Sequence, residues 1–196
     1  LDPDGTPIPQ VGARKILGFG VSPTSIGISN NFRYKNFNMS VLVEGKYGGQ
    51  MYSGTNAMSK YFGSHKATID ADGRENGFTV SGVDASGAAF TTTIAPDRIE
   101  DYWRRTYEIA EESVYDADYL RLRQMSIGYT IPRAILENTF IKNASISLIG
   151  RNLFFLSNSV ENIDPESGYN VSNSQGLEWF GMPIPRTIGM NVNLKF

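Results

Sequence analysis

The chain has 196 residues, 40% of them hydrophobic and 19% charged, which excludes a disordered chain and leaves room for one ordinary domain or two small ones. Its 18 basic and 20 acidic side chains give a net charge of −2, so nucleic acid is not expected as a partner. No segment approaches the ~18 consecutive apolar residues of a transmembrane helix, which excludes a helical membrane protein. A membrane β-barrel stays open, because its alternating strands average to a near-neutral mean hydropathy such as the −0.27 found here.

Few residues are available for chemistry. The chain has no cysteine and one histidine, His65, which is expected to be a solvated surface residue. A nucleophile, base and orienting group cannot be assembled, so an enzyme is not expected, nor are a cofactor and a metal. Asp70-Ala71-Asp72-Gly73 lacks the spacing of a calcium loop and is expected to be a turn. Asp164 and Glu166 lie in a polar loop and are expected to be structural rather than an acid–base pair.

Residues 1–24 form a loop rich in Gly and Pro, and the start at Leu1, without Met or signal peptide, is typical of a mature or cut fragment. Residues 25–47 predict a β-hairpin, because Ser25–Tyr34 and Phe37–Tyr47 both alternate with period two. A turn at Lys35-Asn36 would pair Tyr34 with Phe37, Phe32 with Met39 and Ile28 with Val43, so that the two apolar faces coincide.

Residues 48–118 read as a long polar loop, with a short helix beginning at Pro96-Asp97. Residues 119–155 predict a strand pair, Tyr119–Thr130 and Ala144–Phe155. Leu120 and Leu122 occupy even-numbered positions, whereas Met125, Ile127 and Tyr129 occupy odd-numbered ones. Strict alternation would therefore place Arg121 and Arg123 on the apolar face. Either a bulge near Gln124 switches faces, or the two arginines lie above the hydrocarbon.

Residues 156–186 form a second polar loop, and residues 187–196 predict a terminal strand with the cleanest alternation in the chain: Ile188, Met190, Val192, Leu194 and Phe196 are all apolar. The five strands are each near the ~9–11 residues that cross a bilayer at a tilt. Short and long connections alternate, and aromatic residues gather near strand ends. This pattern favours an all-β, antiparallel outer-membrane barrel with long loops on one side and aromatic girdles at both interfaces.

An ordered set of motifs extends this pattern to a known family. The segment VYDADYLRLRQMSIGYTIP at 114–132 is followed by RNLF at 151–154, DPE at 164–166, PIPRT at 183–187 and the terminal GMNVNLKF at 189–196. LDPDG at 1–5 and YKNF at 34–37 fit the same order. Together they resemble the C-terminal part of SusC/RagA-type TonB-dependent outer-membrane transporters.

The resemblance implies that this chain supplies the last five strands of a barrel of about 22 strands. The plug, the earlier strands and the TonB-contacting segment would lie outside it. It also implies a Gram-negative outer membrane, contact with lipid and lipopolysaccharide, outward-facing loops at 48–118 and 156–186, and import of glycan or peptide fragments with a SusD-like surface lipoprotein.

Two groups of residues are candidates for function. Ile188, Met190, Val192, Leu194 and Phe196 are expected to face lipid and to form the signal read by the barrel-assembly machinery. The loop aromatics either contact substrate or the lipoprotein, or pack the long loops against each other, which is the commoner role; they are Tyr102, Trp103, Tyr107, Trp179 and Phe180. The rival reading is a soluble β-sandwich that binds carbohydrate through these aromatics.

Overall fold

A computed structural model describes residues 1–9, 12, 14–69, 73–168, 171–172 and 174–196. Asp70 to Asp72, expected to be part of a turn, lie outside the described residues. The chain divides into two compact units. The strand unit comprises residues 21–49, 116–167 and 182–196, and the loop unit comprises residues 1–20, 50–115 and 168–181.

The strand unit is built on one five-stranded antiparallel sheet. Its strands, in spatial order, are β1 (Thr24–Tyr34), β2 (Phe37–Tyr47), β7 (Tyr119–Thr130), β8 (Asn143–Asn158) and β10 (Thr187–Lys195). Each of these strands lies at a position where the sequence predicts one, although β8 continues three residues beyond the predicted end at Phe155. In the described chain, β1 and β10 are open edges, so this sheet does not close on itself.

The register follows the alternation seen in the sequence. Tyr34 pairs with Phe37, Phe32 with Met39 and Ile28 with Val43, as the hairpin turn predicts. Lys35 adopts a positive φ of 52° in that two-residue turn. The short connections, at residues 35–36 and 131–142, leave one end of the sheet, and the long connections leave the other. Helix α4 (Arg133–Leu136) lies in the second short connection.

Bulges decide where the two arginines of β7 point. The register shifts between Leu122 and Gln124 against β8, and between Leu42 and Val43 against β2. Against β2, Val43 pairs with Leu122 and its neighbour Leu42 pairs with Gln124, so Arg123 is the extra residue on β7. Leu122 and Met125 therefore lie on the same face and the two arginines on the other. The bulge alternative is therefore confirmed, and Arg121 is buried.

The loop unit has regular structure of its own, which makes residues 48–118 more ordered than the long loop that the sequence indicates. It contains a three-stranded sheet, a two-stranded hairpin and three helices. Their bounds are β3 (Gln50–Ser53), α1 (Gly54–Tyr61), α2 (Gly73–Asn76), β4 (Phe78–Val83), β5 (Ala89–Ile94), α3 (Ile99–Tyr107), β6 (Val114–Asp116) and β9 (Leu177–Glu178). Its core includes Met51, Ala57, Ile94 and Ile99.

Two local predictions meet different outcomes in this unit. The helix expected after Pro96-Asp97 is present, as a 3₁₀ turn at Pro96–Arg98 that leads into α3. The expectation that His65 is solvated is wrong, because His65 is buried and its Nδ1 accepts a hydrogen bond from the backbone N–H of Ala67. His65 thereby caps the 3₁₀ turn Lys66–Thr68. Among the described residues, no helix is both long and apolar enough to cross a bilayer.

Candidate functional site

The first candidate is an exposed apolar face on the five-stranded sheet, called here the apolar band. The pairing aligns apolar residues in rows across all five strands. One row consists of Tyr34, Phe37, Tyr129, Ile146 and Val192, and the next of Phe32, Met39, Ile127, Leu148 and Met190. Most of these side chains are exposed, Val192 by 52% and Met190 by 69%. An exposed apolar surface that spans a whole sheet indicates contact with lipid or another protein.

The predicted lipid-facing residues of the terminal strand all lie on or next to this band. Ile188, Met190, Val192 and Leu194 pair with residues of β8, and all four are exposed. Phe196 lies just after β10, where its ring stacks on Phe140 with centroids 5.5 Å apart. Phe196 is thus an aromatic residue at the end of the sheet where the short connections lie.

The opposite face of the sheet carries a charge cluster formed by Arg121, Arg123, Glu44, Asp164 and Glu166. Arg121 is 3% exposed and pairs with Asp164 at 2.6 Å and with Glu166 at 2.7 Å. Arg123 pairs with Glu44 at 2.6 Å and with the second oxygen of Glu166 at 2.7 Å. The cluster therefore holds the DPE motif against β7. This geometry fits the structural role expected for the two loop acids.

Asp164 also organises backbone around itself. Its carboxylate accepts hydrogen bonds from the backbone N–H of Glu166 at 3.0 Å and from that of Ile184 at 3.2 Å. The guanidinium of Arg121, its ion-pair partner, lies 3.9 Å from the ring centroid of Phe155. Charged groups this deeply buried are stable only when paired and hydrogen-bonded, as they are here. The cluster joins two distant stretches of the second polar loop to the sheet.

Three of the loop aromatics pack inside the loop unit. Tyr102 and Trp103 on α3 surround Phe78, with ring centroids 4.9 Å and 6.0 Å from it. Tyr107 lies edge-on to Tyr61 at 5.3 Å. Burial raises the pKa of the Tyr102 hydroxyl. The structure gives these three residues packing partners within the unit.

Trp179 and Phe180 are placed differently, on a rigid support in the same unit. Their rings meet edge-on at 5.9 Å, and both remain exposed, Trp179 by 43% and Phe180 by 61%. The indole packs so closely on Gly54 that a β-carbon there would overlap the ring. The backbone N–H of Phe180 donates to Thr55 Oγ1 at 2.7 Å. We call Trp179 and Phe180 the aromatic platform.

The buried carboxylate of Glu178 fixes the aromatic platform. Glu178 is fully buried and accepts hydrogen bonds from Ser53 Oγ at 2.7 Å, Thr55 Oγ1 at 2.5 Å and the backbone N–H of Gly181 at 3.0 Å. Ser53 is also the N-cap of α1. Glu178 was not predicted as a site residue, because nothing in the local sequence indicates that a single acid in a polar loop is buried. The described residues contain no group of three His, Cys, Asp or Glu side chains that could hold a metal.

Comparison with known proteins gives a consistent set of relatives. No protein-family profile matches the chain. TonB-dependent receptor P3 of Formosa agariphila is 30% identical over 201 residues, which cover 100% of this chain and 18% of that protein. TonB-dependent receptor P26 of the same organism is 26% identical, over 100% of this chain and 19% of that protein. The chain thus spans about a fifth of the length of these relatives.

Solved structures agree at the level of the fold. The chain is similar to the RagAB peptide importer in its closed-closed state with a TM-score of 0.65 and 18% identity, over 95% of this chain and 19% of that one. A second structure, of the RagAB peptide transporter, gives a TM-score of 0.60 and 16% identity, over 90% and 17% of the two chains. Both comparisons align nearly all of this chain with a small part of a much larger protein.

Proposed function

We propose that this chain, a segment of a TonB-dependent receptor of the SusC/RagA type, forms part of an importer that carries nutrient fragments across the outer membrane of a Gram-negative bacterium. Family and location are supported by the relatives, which match between 91% and 100% of the chain. The relatives are receptors and transporters rather than enzymes, in keeping with the expectation that the chain is not an enzyme.

The observation that carries the proposal is the apolar band. Rows of exposed apolar residues cross five strands, while the other face of the same sheet holds a buried charge cluster. In a barrel transporter the apolar face would meet lipid and the charged face would meet the interior. A soluble β-sandwich would bury the apolar side chains of its strands against a second sheet, so the exposed band favours the transporter over that rival.

The open edges support the proposal that this chain is a fragment of a larger barrel. Bacterial barrels have at least ~8 strands, so β1 and β10 would each pair with strands from the rest of the protein. In this proposal the short connections face the periplasm and the loop unit lies on the outer surface. The plug and the TonB-contacting segment would belong to the same polypeptide outside this chain.

The aromatic platform is the proposed contact with a SusD-like lipoprotein or with the nutrient. Two rigidly held, exposed aromatic rings provide large contact area at a low entropy cost, as interface anchors do. The similar RagAB structures are of a peptide importer. For this protein, the proposal includes both peptide and glycan fragments as substrates.

The experiment uses the full-length transporter with an affinity tag, expressed in its native outer membrane. We expect a surface lipoprotein to co-purify with it, and labelled nutrient uptake to stop when TonB is deleted. Phe180→Ala should reduce the co-purified lipoprotein. The control is Phe140→Ala, which removes another exposed phenylalanine, at the short-connection end; Phe140 is 78% exposed and Phe180 is 61% exposed. Uptake that persists without TonB, or equal effects of the two variants, would count against the proposal.

A further inference from the structure

A second feature of the loop unit is a cavity between the end of α1, the turn that follows it, and α3. It has a volume of about 360 Å³ and is lined by Lys60, Phe62, Arg74, Trp103 and Arg104, among others. This volume lies at the lower end of the range for small-molecule sites, enough for one or two sugar rings or amino-acid residues.

Positive charge dominates the wall of the cavity. Among its lining residues, Lys60, Arg74 and Arg104 are basic and Glu100 is the acid. Arg104 forms an ion pair with Glu100, one helical turn earlier on α3. The other two basic groups have no acidic partner among the described residues.

Neutral acceptors hold these two cations in place. Lys60 Nζ donates to the carbonyl oxygen of Glu112 at 3.2 Å. The guanidinium of Arg74 donates to the carbonyl oxygens of Gly63 and Thr68, and to Thr68 Oγ1 at 2.9 Å. Such contacts orient a cation without neutralising it, so the described residues of the cavity carry an excess of positive charge that favours an anionic ligand.

Aromatic groups complete the wall. The Phe62 ring is exposed, and the Trp103 indole is braced by its stack on Phe78.

We infer that this cavity binds the carboxylate of an acidic nutrient fragment. The inference rests on the proposed function, because it takes the loop unit to be exposed to incoming nutrients. The carboxylate would belong to a uronic acid in an oligosaccharide or to an acidic residue in a peptide. Both sources present the same group to Lys60 and Arg74, with a compact body against the aromatic wall.

The test measures binding by calorimetry to the purified full-length transporter in detergent. The probes are tetragalacturonate, an Ala-Glu-Ala-Glu peptide and, as a neutral comparison, maltotetraose. Arg74→Gln should weaken binding of the acidic probe about tenfold to a hundredfold, because it removes a charge-assisted hydrogen bond. Lys60→Gln should weaken it by a similar factor.

Arg105→Gln is the matched control. Arg105 lies on α3 with 51% side-chain exposure and pairs with Glu108, just beyond the end of that helix, but it does not line the cavity. Its binding constants should stay within about twofold of the parent protein. Recovery of heat-modifiable protein in the outer membrane checks that each variant folds.

Binding of tetragalacturonate alone assigns the carboxylate to a glycan, and binding of the peptide alone assigns it to a peptide. The inference is overturned if neither acidic probe binds, if maltotetraose binds as tightly as they do, or if Arg74→Gln and Arg105→Gln have equal effects. TonB-dependent uptake of a neutral nutrient, together with any of these results, would leave the proposed function standing while this inference fails.

Discussion

Replacing Arg121 by Met should loosen the segment around the DPE motif. The Arg121 side chain is 3% exposed and that of Asp164 is 5% exposed, so the substitution leaves a carboxylate that water cannot reach. Asp164 would keep the two backbone N–H groups of Glu166 and Ile184, but no cation among its described neighbours. Removing one partner of a buried ion pair costs about 3–5 kcal/mol.

The same loss at the edge of the charge cluster should be much smaller. The Arg123 side chain is 19% exposed; of the two acids that Arg123→Met leaves behind, Glu44 is 39% exposed to water and Glu166 keeps its ion pair with Arg121. A partly exposed pair of this kind contributes about 1 kcal/mol or less. The contrast between the two methionine variants is therefore the quantity to measure.

Hydrogen exchange in the purified full-length transporter reads the effect locally, at the amides of Glu166 and Ile184 that donate to Asp164. Because 1.4 kcal/mol is a factor of ten, Arg121→Met should speed exchange there about a hundredfold or more. Adding Asp164→Asn to Arg121→Met should recover part of the protection, since it removes the uncompensated charge. Equal exchange in the two methionine variants, or no recovery in the double variant, would refute the reasoning.

Further predictions concern the terminal strand and the aromatic platform. Val192→Arg should destabilise the inserted protein by about 2–4 kcal/mol and Asn193→Arg by much less, as measured by urea titration in lipid vesicles; equal costs would contradict lipid contact on one face. Deleting Phe196 should lower the amount of folded, heat-modifiable protein in the outer membrane, and an unchanged amount would exclude its role as an assembly signal. Gly54→Val should displace the Trp179 ring that lies on it and reduce lipoprotein capture as Phe180→Ala does, whereas unaltered capture would argue against the aromatic platform.

The strands could be predicted because each is encoded locally. Period-two alternation and a two-residue turn are enough to place Ile28 opposite Val43 and to align the apolar faces. The same rule left Arg121 and Arg123 undecided, since a bulge shifts parity without leaving a mark in the composition. Only the pairing of β7 with β2 locates the extra residue.

The structure of the loop unit could be predicted much less well from local sequence patterns. Its helices and small sheets are held by contacts between residues far apart in the chain, such as Ser53 with Glu178. The wrong expectation for His65 has the same origin, because its burial comes from tertiary packing rather than from neighbouring residues. A polar composition favours the prediction of a loop. In this unit, however, polar groups are instead buried and hydrogen-bonded to one another.

The central claim is that the apolar band faces lipid, and single-cysteine spin labels along the terminal strand test it most directly. The chain itself contains no cysteine, so each label from position 187 to 195 has a defined place within it. In the full-length transporter reconstituted in vesicles, labels at Ile188, Met190, Val192 and Leu194 should be accessible to oxygen dissolved in the bilayer, and labels at the alternate positions should not. Uniform accessibility to a water-soluble relaxation agent at both sets of positions would contradict it.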